Sequence, residues 1–148
     1  MCIPINHSKN MWLDKIEIEN SLNFRQLYKD NCPQLSDVVL LGLTMDCVEN
    51  VSNVQIEFYD WPDPLPDGWI PDRKYCGIFL EFSFKDNVFK YTDFNLLDDN
   101  EHCSIVIDDL GNGGFEVKAA NRAGRPIFQL TSLGVSITDF YYIDHRED

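Results

Sequence analysis

The feature that most constrains this chain is a period of two. In Cys76–Phe84 the residues Cys76, Ile78, Leu80, Phe82 and Phe84 alternate with Gly77, Phe79, Glu81 and Ser83. Successive side chains of a strand point to opposite faces, so strict alternation marks a strand with one buried face. The same period runs through Asn53–Tyr59, where Val54, Ile56 and Phe58 share a phase. It returns at Cys103, Ile105 and Ile107 and at Phe115, Val117 and Ala119. In Val38–Cys47 the set Val39, Leu41, Leu43, Met45 and Cys47 points one way, and Val88–Phe94, Ile127–Thr131 and Val135–Ile143 complete about eight strands.

The links between these strands are short. Sequential strands on short links pair antiparallel, because a parallel neighbour needs a long crossover. Lys85-Asp86-Asn87 reads as a tight hairpin turn into Val88, and Asp109–Gly114 as a second turn, since glycine and asparagine accept positive φ. Phe79, Phe89 and Phe128 stand out as exposed phenylalanine faces, which suggests that parts of the sheet are covered on both sides. One helix is predicted at about 21–31. Asn20 or Ser21 caps it, Leu22, Leu27 and Tyr28 fall near one face, and Pro33 stops it. Before it, residues 1–10 read as a loose lead-in and Met11–Glu19 as a short strand or a bent approach. The chain has no internal repeat, no low-complexity tract and no Gly/Ser linker. The expected fold is therefore α+β and mainly β: one N-terminal helix, then an antiparallel meander of about eight strands, curled or two-layered. It forms a single domain over 1–148, with an ordered core at about 12–143.

Composition then narrows the partners. The chain has 148 residues, 44% of them apolar, enough for a packed core and too many for a disordered acidic tail. Asp and Glu number 25 against 12 Lys and Arg, a formal net charge of −13. Such a charge repels DNA, RNA and anionic membranes, and favours a basic protein or a cation. No apolar run approaches the roughly 20 residues of a membrane span, and MCIPINHSKN lacks the apolar core of a signal peptide. The expectation is a soluble cytoplasmic protein that binds neither nucleic acid nor membrane.

The residues offer little catalytic chemistry. Cys2, Cys32, Cys47, Cys76 and Cys103 are scattered singly, without a C-x-x-C pair or a histidine at zinc-ligand spacing. Cys76 and Cys103 lie on the apolar side of their alternations and read as small buried hydrophobes. No G-x-S-x-G elbow presents Ser83, Ser104 or Ser132 to any of His7, His102 and His145. No Walker loop or G-x-G-x-x-G is present, and Gly111-Asn112-Gly113-Gly114 precedes a strand, so it is a turn. Asp98-Asp99-Asn100-Glu101-His102 and Asp108-Asp109 are the densest acidic runs, yet the calcium loop pattern is absent. No enzyme, cofactor or resident metal is expected. The competing readings are a hydrolase using Asp98, Glu101 and His102 around a metal, and a structural or ligand-carrying β domain.

Asp60–Asp72 is the most unusual segment, with four prolines, two tryptophans and four aspartates in thirteen residues. Proline cannot donate to a strand ladder, so this is a stiffened loop. Trp69 reads as pinned on the sheet, whereas Trp61 divides evenly between that role and an interface anchor. In a meander, alternate connections fall at the same end of the sheet. The connection after the second strand, Asp60–Asp72, would then meet the one after the fourth, about Asn95–His102. This gathers Asp60, Asp63, Asp67, Asp72, Asp98, Asp99 and Glu101 around Trp61 as the partner-binding surface. The opposite end, with Asp108 and Asp109 beside Gly111 and Gly113, is the second choice.

The order Trp12, Ile16, Asn20, a short helix with Leu27, Pro33, Leu35 and the strand Val38–Met45 resembles the opening of the immunity protein 50 family. The amphipathic strand, the proline-rich loop ending in Trp69, the strand Ile78–Phe84 and the late Ile137 and Tyr141–Ile143 extend the likeness over about residues 12–143. Members of that family stand beside polymorphic or contact-dependent toxins in bacteria. The resemblance implies a small cytoplasmic antidote that binds one cognate toxin C-terminal domain. It implies no catalytic residues, and it gives Trp12, Asn20 and Trp69 structural roles. Many such toxins are nucleases with basic clefts, which an acidic protein can occupy in place of nucleic acid.

Overall fold

The computed structural model describes residues 22–28, 33–97 and 102–147. The expected lead-in with Trp12 and Ile16, the cap at Asn20 or Ser21, and the acidic residues Asp98, Asp99 and Glu101 lie outside these residues. Within them the chain is mainly β. A short helix α1 (Leu22–Tyr28) precedes β1 (Val38–Asp46), β2 (Val51–Phe58), β3 (Cys76–Lys85) and β4 (Val88–Thr92). One helical turn, α2 (Phe94–Leu97), is capped by Asp93, whose Oδ1 accepts from the Asn95 and Leu96 amides at 3.0 and 3.2 Å. Then come β5 (His102–Asp109), β6 (Phe115–Asn121), β7 (Pro126–Ser132) and β8 (Gly134–Asp144), with a last 3₁₀ turn at His145–Glu147.

All eight strands belong to one antiparallel sheet, in the order β4-β7-β6-β5-β1-β2-β3-β8. This corrects the meander. Lys85-Asp86-Asn87 is not a hairpin, because β3 pairs with β2 and β8 while β4 pairs with β7. Asp86 and Asn87 alone separate β3 from β4, yet the two strands stand seventh and first in the sheet. Leu133 alone separates β7 from β8, which stand second and eighth. So few residues can bridge those positions only if the sheet curls until its halves face each other. The segments β3–β4 and β7–β8 are each one long strand turning a corner. Exchanging β1–β4 for β5–β8 reverses the strand order, a two-fold relation in topology that no sequence repeat announces.

The corner is held by buried polar groups. Asn87, 8% exposed, donates from Nδ2 to the Asn50 and Phe84 carbonyls at 3.1 and 3.0 Å and accepts from Ser52 Oγ at 3.1 Å. Ser132 Oγ lies 2.7 Å from the Lys85 carbonyl, tying the second corner to the first. Asp86 takes a positive φ of 51° there, which suits a short polar side chain.

A single core fills the curl. It runs from Leu40, Val54, Ile56, Leu80, Phe82 and Phe84 through Ile105, Val117, Leu130 and Val135, with Phe24 and Tyr28 of α1 and Leu35 at one end. Phe24 and Tyr28 are four residues apart and share the buried face of α1, and Leu27 packs beside them. In β1 the expected phase breaks. A bulge at Leu41, between Leu40 and Gly42, shifts the register, so Val38 and Leu40 are buried and only beyond it does Leu43 reach the core. Of the three phenylalanines expected on exposed faces, Phe128 is fully buried, Phe89 packs against it at 6.4 Å, and Phe79 is half-buried.

Candidate functional site

The proline-rich loop leaves β2 at Tyr59 and returns at Tyr75. Its prolines deny it ladder hydrogen bonds, and Asp63–Pro64 is cis. What fixes it is a set of contacts to its surroundings. Tyr28 donates its hydroxyl to the Asp60 carbonyl at 2.6 Å, and Asp60 Oδ2 accepts from the Gln34 amide at 2.8 Å. Trp69 donates its amide to Pro66 at 3.1 Å. Trp61 and Trp69 meet edge to face at 6.4 Å, and both close on β8, with Trp69 5.3 Å from Phe140 and from Tyr142. Phe24 lies on the same Phe140 ring at 4.7 Å. The two tryptophans thus join the core to the end of β8.

Of the residues expected to gather for a partner, Asp60 and Asp72 have work inside the chain. Asp72 accepts from the Lys74 amide at 3.2 Å and faces Arg146 Nη1 at 3.4 Å. Trp61 is half-buried, and the guanidinium of Arg73 stands over its ring at 5.4 Å, where a partner's cation would stack. Asp63 and Asp67 are exposed. His102, at the start of β5, lies beside Val39, and Val39 lies beside Glu57 near the end of β2. The start of β5 and the loop's origin are therefore two strand spacings apart, about 10 Å. Asp108 and Asp109 end the same strand about 20 Å further on, at 3.3–3.4 Å per residue. Asp109 there accepts from the Gly111 amide at 2.7 Å, and Gly111 and Gly113 take positive φ of 79° and 87°.

Two ionisable clusters were not visible from sequence spacing. At the sheet's outer face Glu57 is 4% exposed, an unusual degree of burial for a carboxylate. His145 Nε2 lies 2.6 Å from its Oε2, and Tyr59 donates its hydroxyl to the same oxygen at 3.3 Å. Burial, and then the nearby Glu57 charge, raise the Tyr59 hydroxyl above its ordinary range. Gly77 makes the space, since a Cβ there would sit 2.0 Å from Glu57 Oε2. Arg146 follows His145 and bonds Asp144 at 2.6 Å while stacking on Tyr75 at 4.9 Å. Its hydrogen bonds hold the Asp144 carboxyl down at about 2. The second cluster joins Asp37, His102 and Arg122. Arg122 donates to both Asp37 oxygens at 3.2 and 3.0 Å, which holds the Asp37 carboxyl below its usual range, and His102 Nδ1 lies 3.2 Å from Arg122 Nη2. Among the described residues there is no group of three or more His, Cys, Asp or Glu placed to hold a metal. No described helix is long and apolar enough to cross a membrane.

Comparison with models of protein families, with curated proteins and with solved structures yields no match.

Proposed function

We propose that the chain is an immunity protein: it binds a basic, nuclease-like toxin domain and neutralises it by occupying the surface a polyanion would take. The observation that carries this reading is an unbalanced charge distribution. Lys90, Lys118, Arg122, Arg125 and Arg146 each stand against a carboxylate of this same chain. Asp63, Asp67, Asp108, Asp109 and Asp139 are exposed and have no Lys or Arg partner among the described residues. With a net charge of −13, the field around the molecule is set by those acids, and it draws in a basic surface while repelling nucleic acid.

The test is reconstitution with the protein encoded immediately upstream. A 1:1 complex, loss of the toxin's activity on binding, and a kon that falls about tenfold or more from low to high salt are the expected results. Absence of a complex refutes the reading. A salt-independent kon in a complex that does form removes charge as its basis.

A further inference from the structure

We propose that the partner's contact centre is the outer face of β1, β2, β3 and β8, around Phe79 and Tyr141, and that the partner brings arginine or lysine side chains to it. This rests on the reading that the chain binds a basic protein. It moves the contact away from Trp61, whose ring already carries the chain's own Arg73.

Strand register draws the face. Residues directly opposite in a ladder share a face. Val39 is opposite Glu57, Glu57 opposite Phe79, and Phe79 opposite Tyr141, so these four form a row across the sheet. Phe79 and Tyr141 lie ring against ring at 4.7 Å and 34°, and Tyr141 is 42% exposed. Toward the loop, alternation sets Tyr59 and Ile143 on the same face, and Tyr59 is 52% exposed. Aromatic side chains in the polar phase of a strand cost solubility, and Tyr59 and Tyr141 keep about half of their surface exposed while Phe79 and Ile143 are partly covered.

The neighbouring row supplies the charge. Glu81 stands directly opposite Asp139. Like charges across a ladder repel, and neither has a Lys or Arg partner among the described residues. Glu81 is nevertheless held in place, accepting from Gln55 Nε2 at 2.6 Å and from Thr138 Oγ1 at 2.7 Å. A fixed carboxylate, a second carboxylate facing it and a stacked aromatic pair one row away match an arriving guanidinium. The cation relieves the Glu81–Asp139 repulsion, and its flat face or methylene stem covers the rings. Tyrosine and arginine are both enriched in binding hot spots.

The experiment measures binding of the purified upstream-encoded protein to five chains by surface plasmon resonance. These are wild type, Tyr141→Ala, Asp139→Lys, the double variant Asp63→Lys with Asp67→Lys, and Val106→Ser. Melting curves confirm that each is folded. Both Tyr141 and Asp139 lie on exposed positions of β8, so if one variant fails to fold the other decides. The expected result is a loss of about tenfold or more in affinity for Tyr141→Ala, mainly in koff, and for Asp139→Lys. The loop variant slows kon and leaves koff unchanged, and Val106→Ser, on the outer face of the other half, binds as wild type. A wild-type complex that tolerates both Tyr141→Ala and Asp139→Lys overturns this surface while leaving the partner reading standing. No wild-type complex overturns both.

Discussion

Replacing Gly77 with alanine tests whether the buried carboxylate at the outer face is built into the fold. A Cβ at Gly77 would meet Glu57 Oε2 at 2.0 Å, Cδ at 2.7 Å and Cγ at 2.8 Å, all closer than a methyl group can approach. Because the clash is with a side chain and not with backbone, the strand can persist if Glu57 leaves. Leaving breaks its contacts with His145 at 2.6 Å and Tyr59 at 3.3 Å. A hydrogen bond to a charged group is worth about 1.5–3 kcal/mol, and the half-exposed imidazole places this one at the low end. Alanine gains about 0.5–1 kcal/mol over glycine within a strand. The net cost of Gly77→Ala is then about 1 kcal/mol. In a Glu57→Ala background the clash and the lost bond both vanish, and the same substitution becomes stabilising by about 0.5–1 kcal/mol. The sign of the effect thus reverses with the residue at position 57. Urea denaturation of the four proteins in the cycle, with unchanged m-values, measures it. If Gly77→Ala stabilises the chain in both backgrounds, the packing of Glu57 beneath His145 is refuted.

Three further outcomes follow from other parts of the molecule. Asn87→Ala removes the hydrogen bonds that Asn87 makes to Asn50, Phe84 and Ser52 and should cost about 2–3 kcal/mol, seen as a lower urea midpoint; an unchanged midpoint contradicts its role at the corner. Arg146 depresses the Asp144 carboxyl from 3.8 to about 2, so this group's contribution to stability is present above pH 4 and is lost as pH falls from about 4 to 2. The stability gap between wild type and Asp144→Asn should therefore be full at pH 6 and shrink below pH 4, and a gap constant down to pH 2 would exclude the pairing. Cys47 is exposed whereas Cys76 and Cys103 are buried, and burial, then the Asp144 charge, pushes the Cys76 thiol up. A thiol reagent followed by peptide mapping should label Cys47 in the native protein and the other two only after unfolding; native labelling of Cys76 at the rate of Cys47 would show that β3 opens at its start.

The strands themselves were legible because alternation is local. Each of the eight expected segments is a strand, from Val38–Asp46 to Gly134–Asp144, and Cys76 and Cys103 are buried as their phase required. Their order in the sheet was not legible, because a corner and a hairpin turn use the same residues. Asp86-Asn87 has the polarity and the positive φ of a turn. What makes it a corner is the fate of the Asn87 side chain, which bonds residues 35 and 37 positions away in sequence. The bulge in β1 is hidden for a related reason. Val38–Cys47 is apolar in both phases as far as Leu43, so either phase could face the core, and the ladder with β2 decides.

The candidate sites divide along the same line. That Asp60–Asp72 is a loop could be read from its prolines, and Trp69 packs against the core as expected. The Arg73 cation over Trp61 is also close in sequence, twelve positions on, but nothing in the spacing says that the loop folds back on itself there. Glu57 and His145 are 88 positions apart and meet only because β2, β3 and β8 are successive neighbours in the sheet. One signal was present in the sequence. Among Gly77, Phe79, Glu81 and Ser83, the polar phase of β3, a glycine and a phenylalanine are the residues that do not belong on a solvated face. The glycine is there because a carboxylate needs its space. The phenylalanine lies against Tyr141, in a row with a buried acid and beside an unpaired one. An outward strand face that spends two of four positions in this way is constrained by more than solvation, and among the described residues no intramolecular contact accounts for the exposed half of that aromatic pair.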